Sequence, residues 1–394
     1  MTVIHGEVAK GFEGVRQAFE QGQARDAGGA QLCVYRNGEK VVDLWGGHNG
    51  DRPYTEDTLA ILMSCSKGVT ATLAHILVDR GQLDLDAPVA KYWPEFAQSG
   101  KGAITTAQLL SHKAGLASFD PETGFRVEEM VDWDRCTGLL AAMAPLWEPG
   151  TAYAYHALTY GFLLGEVIRR ITGKRIGQVL QDEIAGPLGV DIWFGLPERE
   201  EHRVAKHFYP PKHFDPAMLV ARQAALGVDM NTRLARAMSG QTMRTFTDFD
   251  VLNTRAAHAA EIPAGGGIGN ARALAKMYAA TMGEVDGVRL YSKATMEKAR
   301  VWQTQGLGAP GDYAKLPARD PLRLALGYEL ANPVAPKLGE GSFGHSGAGG
   351  RLGYAHPDSG IAVGYVCNNM VWDSIKPDPR WLPWTAALTD ILAA

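Results

Sequence analysis

Ser64 and Lys67 lie three residues apart in Ser64-Cys65-Ser66-Lys67, a spacing that puts both side chains on one face of a helix. The residues that follow predict that helix. Val69, Leu73, Ile76 and Leu77 recur at i, i+4, i+7 and i+8, and Arg80 with Gly81 supplies the stop. Ser64 then falls in the first turn, where backbone N–H groups lack partners and the helix dipole favours negative charge. A serine hydroxyl beside a desolvated lysine at such a helix end is an activated nucleophile next to a base. A capping serine followed by a solvated lysine would read the same way, so the assignment needs partners elsewhere. Cys65 is a weaker nucleophile candidate, because it has no Lys or His at helical spacing that Ser64 lacks. Two other stretches stand out. Pro149-Gly150-Thr151-Ala152-Tyr153-Ala154-Tyr155-His156-Ala157 is a turn leading into a helix, and Phe343-Gly344-His345-Ser346-Gly347-Ala348-Gly349-Gly350 is a glycine-rich strand edge.

The 394 residues are 46% hydrophobic and 21% charged, ordinary values for a globular chain with a sizeable core. A net charge of -4 with mixed signs gives no basis for nucleic acid or an anionic membrane as partner. No basic segment followed by an apolar one opens the chain, and no apolar run approaches a membrane span. Cys33, Cys65, Cys136 and Cys367 are scattered without ligand spacing, so free thiols in a reducing cytoplasm are expected and no metal or organic cofactor is implied.

The remaining elements must hold those residues. Val8 to Gln21 is predicted as an amphipathic helix. Ala30–Arg36 and Glu39–Trp45 form a hairpin about Asn37-Gly38, the pair favoured in a type I′ turn. Between Leu83 and Pro263 helices and polar loops predominate. They include a Thr-capped helix after Ile104, a stronger one over Tyr160–Ile171 closed by Gly173, and loop-rich cover over 197–230. A capped helix spans Asn270–Met282. Short strands return over Leu324–Leu330, Gly341–His345, Gly350–His356 and Ile361–Asn368, before a final helix over Leu382–Leu392. Strands at both ends with helices between them predict an α/β chain of the α+β type. Residues 1–81 and 265–394 would build one antiparallel sheet domain carrying Ser64, Lys67 and His345, and 82–264 a mainly helical domain carrying Tyr155.

In this order the three stretches resemble the motifs of the serine β-lactamase and penicillin-binding-protein superfamily: Ser-x-x-Lys, then Tyr-x-Asn, then Lys/His-Thr/Ser-Gly on a late strand. The chain spells them Ser64-Cys65-Ser66-Lys67, Tyr155-His156-Ala157 and His345-Ser346-Gly347. The segment Leu109-Leu110-Ser111-His112-Lys113-Ala114-Gly115-Leu116 fits the same family, with a structural turn the expected role of Ser111-His112. The similarity covers nearly the whole chain and is strongest to the family VIII carboxylesterases, which implies a β-lactamase-like fold. There is no Gly-x-Ser-x-Gly, which argues against an α/β-hydrolase.

The resemblance implies roles. Ser64 would form the acyl-enzyme, and Lys67 and Tyr155 would handle its proton, with the choice of base left open. The backbone N–H groups of Ser64 and Ala348 would form an oxyanion hole. His345, Ser346, Gly347 and Ala157 would line the substrate. Two departures narrow the substrate. Ala157 replaces an Asn that would donate to an amide carbonyl, and His345 replaces a Lys that would fix a β-lactam carboxylate. Both changes spare the acyl-transfer groups. The expectation is an esterase acting on small-molecule, short-chain esters, as a monomer or small homo-oligomer. A β-lactamase, a D-Ala-D-Ala peptidase or an acyltransferase is the alternative. A non-catalytic scaffold would be expected to lose the serine, lysine or tyrosine, and none is lost.

Overall fold

The computed structural model describes residues 3–24, 26–208, 216–239, 249–316, 322–371 and 376–393. Its centre is an eight-stranded sheet ordered β1-β3-β2-β11-β10-β9-β8, with β4 (Arg52–Pro53) paired to β3. β1 (Ile4–Val8), β2 (Gly29–Arg36) and β3 (Glu39–Asn49) come from the start of the chain; β8 (Glu329–Leu330), β9 (Phe343–Gly347), β10 (Arg351–His356) and β11 (Ile361–Cys367) come from its end. The two groups meet where β2 pairs antiparallel with β11, Val34 opposite Val363. Asn37 and Gly38 take φ of 50° and 85°, as the type I′ turn of the β2–β3 hairpin requires.

The N-terminus departs from the sequence reading. Ile4–Val8 is an edge strand on β3, and helix α1 begins only at Glu13. Val8 reads as helical by spacing with Phe12 and Val15, but pairing with Val42 recruits it to the sheet. Of Leu324–Leu330 only Glu329–Leu330 is strand. Within 197–230 a helix spans Pro216–Ala225, while 209–215 lies outside the described residues.

The sheet separates two apolar clusters. Phe12, the residue before α1 (Glu13–Gln23), and Val15 and Phe19 within it meet Trp384 and Leu388 of the C-terminal helix on one face. The other face supports Leu274 and Tyr278 of the Ala271–Met282 helix and α2 (Cys65–Asp79). From Cys65 to Leu77 every residue of α2 is buried, so this helix runs through the core rather than along the surface. Against it packs α5 (Thr159–Thr172), which in turn carries α3 (Thr106–Leu110) and α4 (Trp133–Ala142). A small sheet of β5 (Ala60–Ile61), β7 (Ile268–Gly269) and β6 (Ile192–Trp193) ties the chain before α2 to both later segments.

Candidate active site

Ser64 is the N-cap of α2, and the residue before it is strained: Met63 has φ of 50°. A non-glycine residue in that region costs energy, and the turn it makes presents Ser64 at the helix mouth. The Ser64 hydroxyl caps no backbone N–H, which leaves it available to neighbouring side chains. One turn on, Lys67 is fully buried, with Nζ 3.3 Å from Ser64 Oγ.

Two carbonyls fix Lys67. Its Nζ donates to Ala157 O and to Ala264 O, each at 2.7 Å. Burial drives its ammonium down to about 7, and no carboxylate opposes this. A neutral amine has two N–H donors and one lone pair. With both donors taken by carbonyls, which can only accept, the lone pair is left toward Ser64 Oγ.

Tyr155 closes the third side, its ring 4.8 Å from Lys67 Nζ. Burial pushes the phenol well above its usual pKa, and a hydrogen bond with the Ser64 side chain opposes that only in part. Tyr155 is therefore a neutral O–H at ordinary pH.

β9 forms the far wall. Cys65 Sγ–H donates to His345 O at 3.2 Å, joining α2 to the strand. The strand and the turn leading into α2 approach so closely that a Cβ on Gly347 would sit 2.6 Å from Leu62 O. His345 is buried, with Nδ1–H donating to Ser346 O at 2.6 Å and Nε2 without a partner. Desolvation lowers its pKa, outweighing the opposing pull of Glu329, so the imidazole is neutral. The Ser346 hydroxyl is turned away from Ser64 chemistry. It donates to Glu329 Oε2 at 2.6 Å, and the Ser346 N–H does so at 2.7 Å. The N–H groups of Ser64 and Ala348 donate to no backbone acceptor among the described residues.

Thus Ser64, Lys67, Tyr155, His345 and the carbonyl of Ala157 come together at one place, from α2, the segment before α5, and β9. Sequence reasoning missed three contributors. The Ala264 carbonyl carries no side-chain signal. Glu329 is a buried carboxylate that also takes a 2.7 Å hydrogen bond from Asn332, with Lys337 Nζ at 3.8 Å. Lys337 and the two hydrogen bonds from Ser346 hold that carboxyl well below the usual range against the effect of burial. His112, read as a turn residue, stacks on Tyr155 with ring centroids 5.1 Å apart. No group of three or more metal-ligating side chains occurs among the described residues.

This fold and constellation define a β-lactamase-type serine hydrolase, and the chain belongs to the beta-lactamase family, whose pattern matches residues 15–383. Among its relatives is the esterase/beta-lactamase LipL of Mycobacterium tuberculosis, 34% identical over 367 residues that cover 90% of this chain and 80% of LipL. A crystal structure of a family VIII carboxylesterase superposes with a TM-score of 0.83 at 34% identity, covering 99% of this chain and 100% of that one. A penicillin-binding-protein homologue from Caulobacter crescentus gives a TM-score of 0.80, also at 34% identity, over 99% and 100% of the two chains. The family match bears out the β-lactamase-like fold expected from the motifs. Among the described residues no helix is long and apolar enough to cross a membrane.

Proposed function

We propose that this protein is a serine carboxylesterase that hydrolyses short-chain esters through an acyl-enzyme on Ser64. The observation that carries the reading is the coordination of Lys67: two carbonyls take its N–H donors and Ser64 Oγ faces its third position at 3.3 Å. Lys67 is the general base. It takes the Ser64 proton as Oγ adds to the ester carbonyl, and the oxyanion meets the N–H groups of Ser64 and Ala348. As the C–O bond breaks, Tyr155 gives its proton to the departing alkoxide, and the proton held by Lys67 restores the phenol. Water then attacks the acyl-enzyme by the reverse path, releasing the acid and Ser64.

His345 and Ala157 set the substrate class. A penicillin carboxylate would face a neutral imidazole, and its side-chain amide would find no donor at Ala157. Unpaired groups in such a site cost about 1–3 kcal/mol each, which is roughly 30-fold to a few times 10⁴-fold for the two together. A simple ester presents neither group. The working arrangement is a sheet domain of 1–81 and 265–394 closed by a helical domain of 82–264. A reducing cytoplasm suits its four buried free thiols, and the acting form is a monomer or small homo-oligomer. The test compares p-nitrophenyl butyrate with benzylpenicillin on wild type and Ser64→Ala. Wild type should turn over the ester and leave the penicillin nearly untouched. Ser64→Ala should be inactive, and a fluorophosphonate should label Ser64 in the intact protein. Penicillin turnover matching the ester would overturn the substrate class, and an adduct on Cys65 or Ser66 would overturn the nucleophile.

A further inference from the structure

Three contacts of His112 converge on one neighbour, Tyr155. It follows the C-cap of α3 and takes φ of 61°, a position that usually belongs to glycine or asparagine. Its ring lies between two tyrosines: Tyr160 at 4.9 Å and 16°, and Tyr155 at 5.1 Å and 24°. His112 O accepts from the N–H of Ala154 at 3.4 Å, and Nδ1 accepts from the N–H of His156 at 2.9 Å. The two residues flanking Tyr155 are therefore both bonded to His112, and the Tyr155 ring rests on it. The far side is equally fixed. His156 donates from Nδ1 to Ala154 O at 2.7 Å and accepts at Nε2 from Leu116 N–H at 3.2 Å, with the edge of Trp147 against its ring. His112 is 2% exposed, and burial with the nearby His156, Lys67 and His345 keeps it neutral. A turn residue would need none of this: glycine would satisfy the backbone.

We propose that His112 is a positioning residue for the reaction, holding the Tyr155 hydroxyl in line between Ser64 and the leaving oxygen. The inference rests on the reading of Tyr155 as general acid. It acts through geometry alone, since a displacement of about 1 Å at a reacting group costs on the order of 10²-fold in rate.

The experiment uses two esters that differ in their need for an acid. Ethyl butyrate leaves as an alkoxide that must be protonated; p-nitrophenyl butyrate leaves as a stable phenolate. kcat/KM is measured for wild type, Tyr155→Phe, His112→Asn, His112→Phe, and each His112 change combined with Tyr155→Phe. Asn keeps the acceptor and tolerates positive φ but loses the stack; Phe keeps the stack but loses the acceptor. Each single His112 variant should lose about 10- to 100-fold on ethyl butyrate and only a few-fold on the p-nitrophenyl ester. In the Tyr155→Phe background both losses should vanish, because there is no longer a hydroxyl to place. Equal losses on the two esters, or losses that persist without the Tyr155 hydroxyl, would overturn the proposal. If Tyr155→Phe itself shows no preference for the alkyl ester, the general-acid reading fails. The double variants still report whether His112 works through Tyr155. If His112→Phe does not fold, His112→Asn carries the test, since it keeps the turn and the hydrogen bond.

Discussion

The pH dependence of ester hydrolysis follows from how Lys67 is buried. An ordinary lysine is the free amine in roughly one molecule in 3,000 at pH 7. With its pKa brought from 10.5 to about 7, half of the Lys67 side chains are unprotonated there. kcat/KM for p-nitrophenyl butyrate should therefore rise about tenfold per pH unit up to pH 7, flatten above it, and stand roughly 100-fold below its plateau at pH 5. The groups around Lys67 add no competing limb. Burial lowers His345, His112 and His156 well below this range, and raises Tyr155 far above it. Tyr155→Phe should lower the plateau and leave the limb in place, whereas Lys67→Met should lose activity at every pH. The assay is kcat/KM from pH 5 to 9.5 at constant ionic strength. Activity flat down to pH 5, or a limb abolished by Tyr155→Phe alone, would refute Lys67 as the base.

Stability should carry the same signature with the sign set by linkage. The folded pKa of Lys67 is depressed, so the unfolded chain holds the extra proton between about pH 7 and its ordinary value near 10.4, and wild-type stability rises with pH across that window. The melting temperature of Lys67→Met relative to wild type should be highest below pH 7 and fall steadily toward pH 10, and a difference independent of pH would refute this. Glu329→Gln should be destabilising, because Lys337 at 3.8 Å loses its buried counter-ion and the Ser346 and Asn332 donors compete for one carbonyl. Breaking such a pair costs about 3 kcal/mol, which lowers Tm by roughly 4 °C in a chain of this size. Since the folded pKa of Glu329 is depressed, the gap should be full above about pH 4.5 and close as the pH falls further. A neutral-pH melt within 1 °C of wild type would contradict the assignment.

What could be read in the sequence was what is local. Ser64 and Lys67 share one helical turn, so their spacing alone places them together, and Asn37-Gly38 encodes its own turn. The α5 and Ala271–Met282 helices carry both a buried stripe and end signals, and they appear within a residue or two of their expected limits. The missed features depend on contacts between distant residues. The Ala264 carbonyl lies 197 residues from Lys67, and a backbone oxygen has no letter in a sequence. Glu329 looks like any polar residue at a strand end until β8 pairs with β9 and brings Ser346 onto its carboxylate. His112 reads as a helix terminator because its φ serves that purpose, while its ring serves Tyr155, 43 positions on. Val8 had the correct period for a helix, and only pairing with Val42 decides otherwise.

The division of labour proposed for Lys67 and Tyr155 rests on one cause acting on two kinds of group. Desolvation penalises whichever form is charged, so it lowers a lysine and raises a tyrosine in the same pocket. Both become neutral, which suits one to the proposed role of base with a free lone pair and the other to that of acid with a proton to give. The arrangement tolerates no carboxylate beside Lys67. An anion at contact distance would restore the ammonium and remove the base at neutral pH. Glu329, a buried carboxylate on β8, is held by Asn332 and both donors of Ser346, with Lys337 Nζ at 3.8 Å and His345 Nδ1 at 3.9 Å. On this reading the Ser346 hydroxyl belongs less to the substrate than to Glu329. Its bond to Oε2 engages the carboxylate, while Lys67 Nζ meets two carbonyls and a serine.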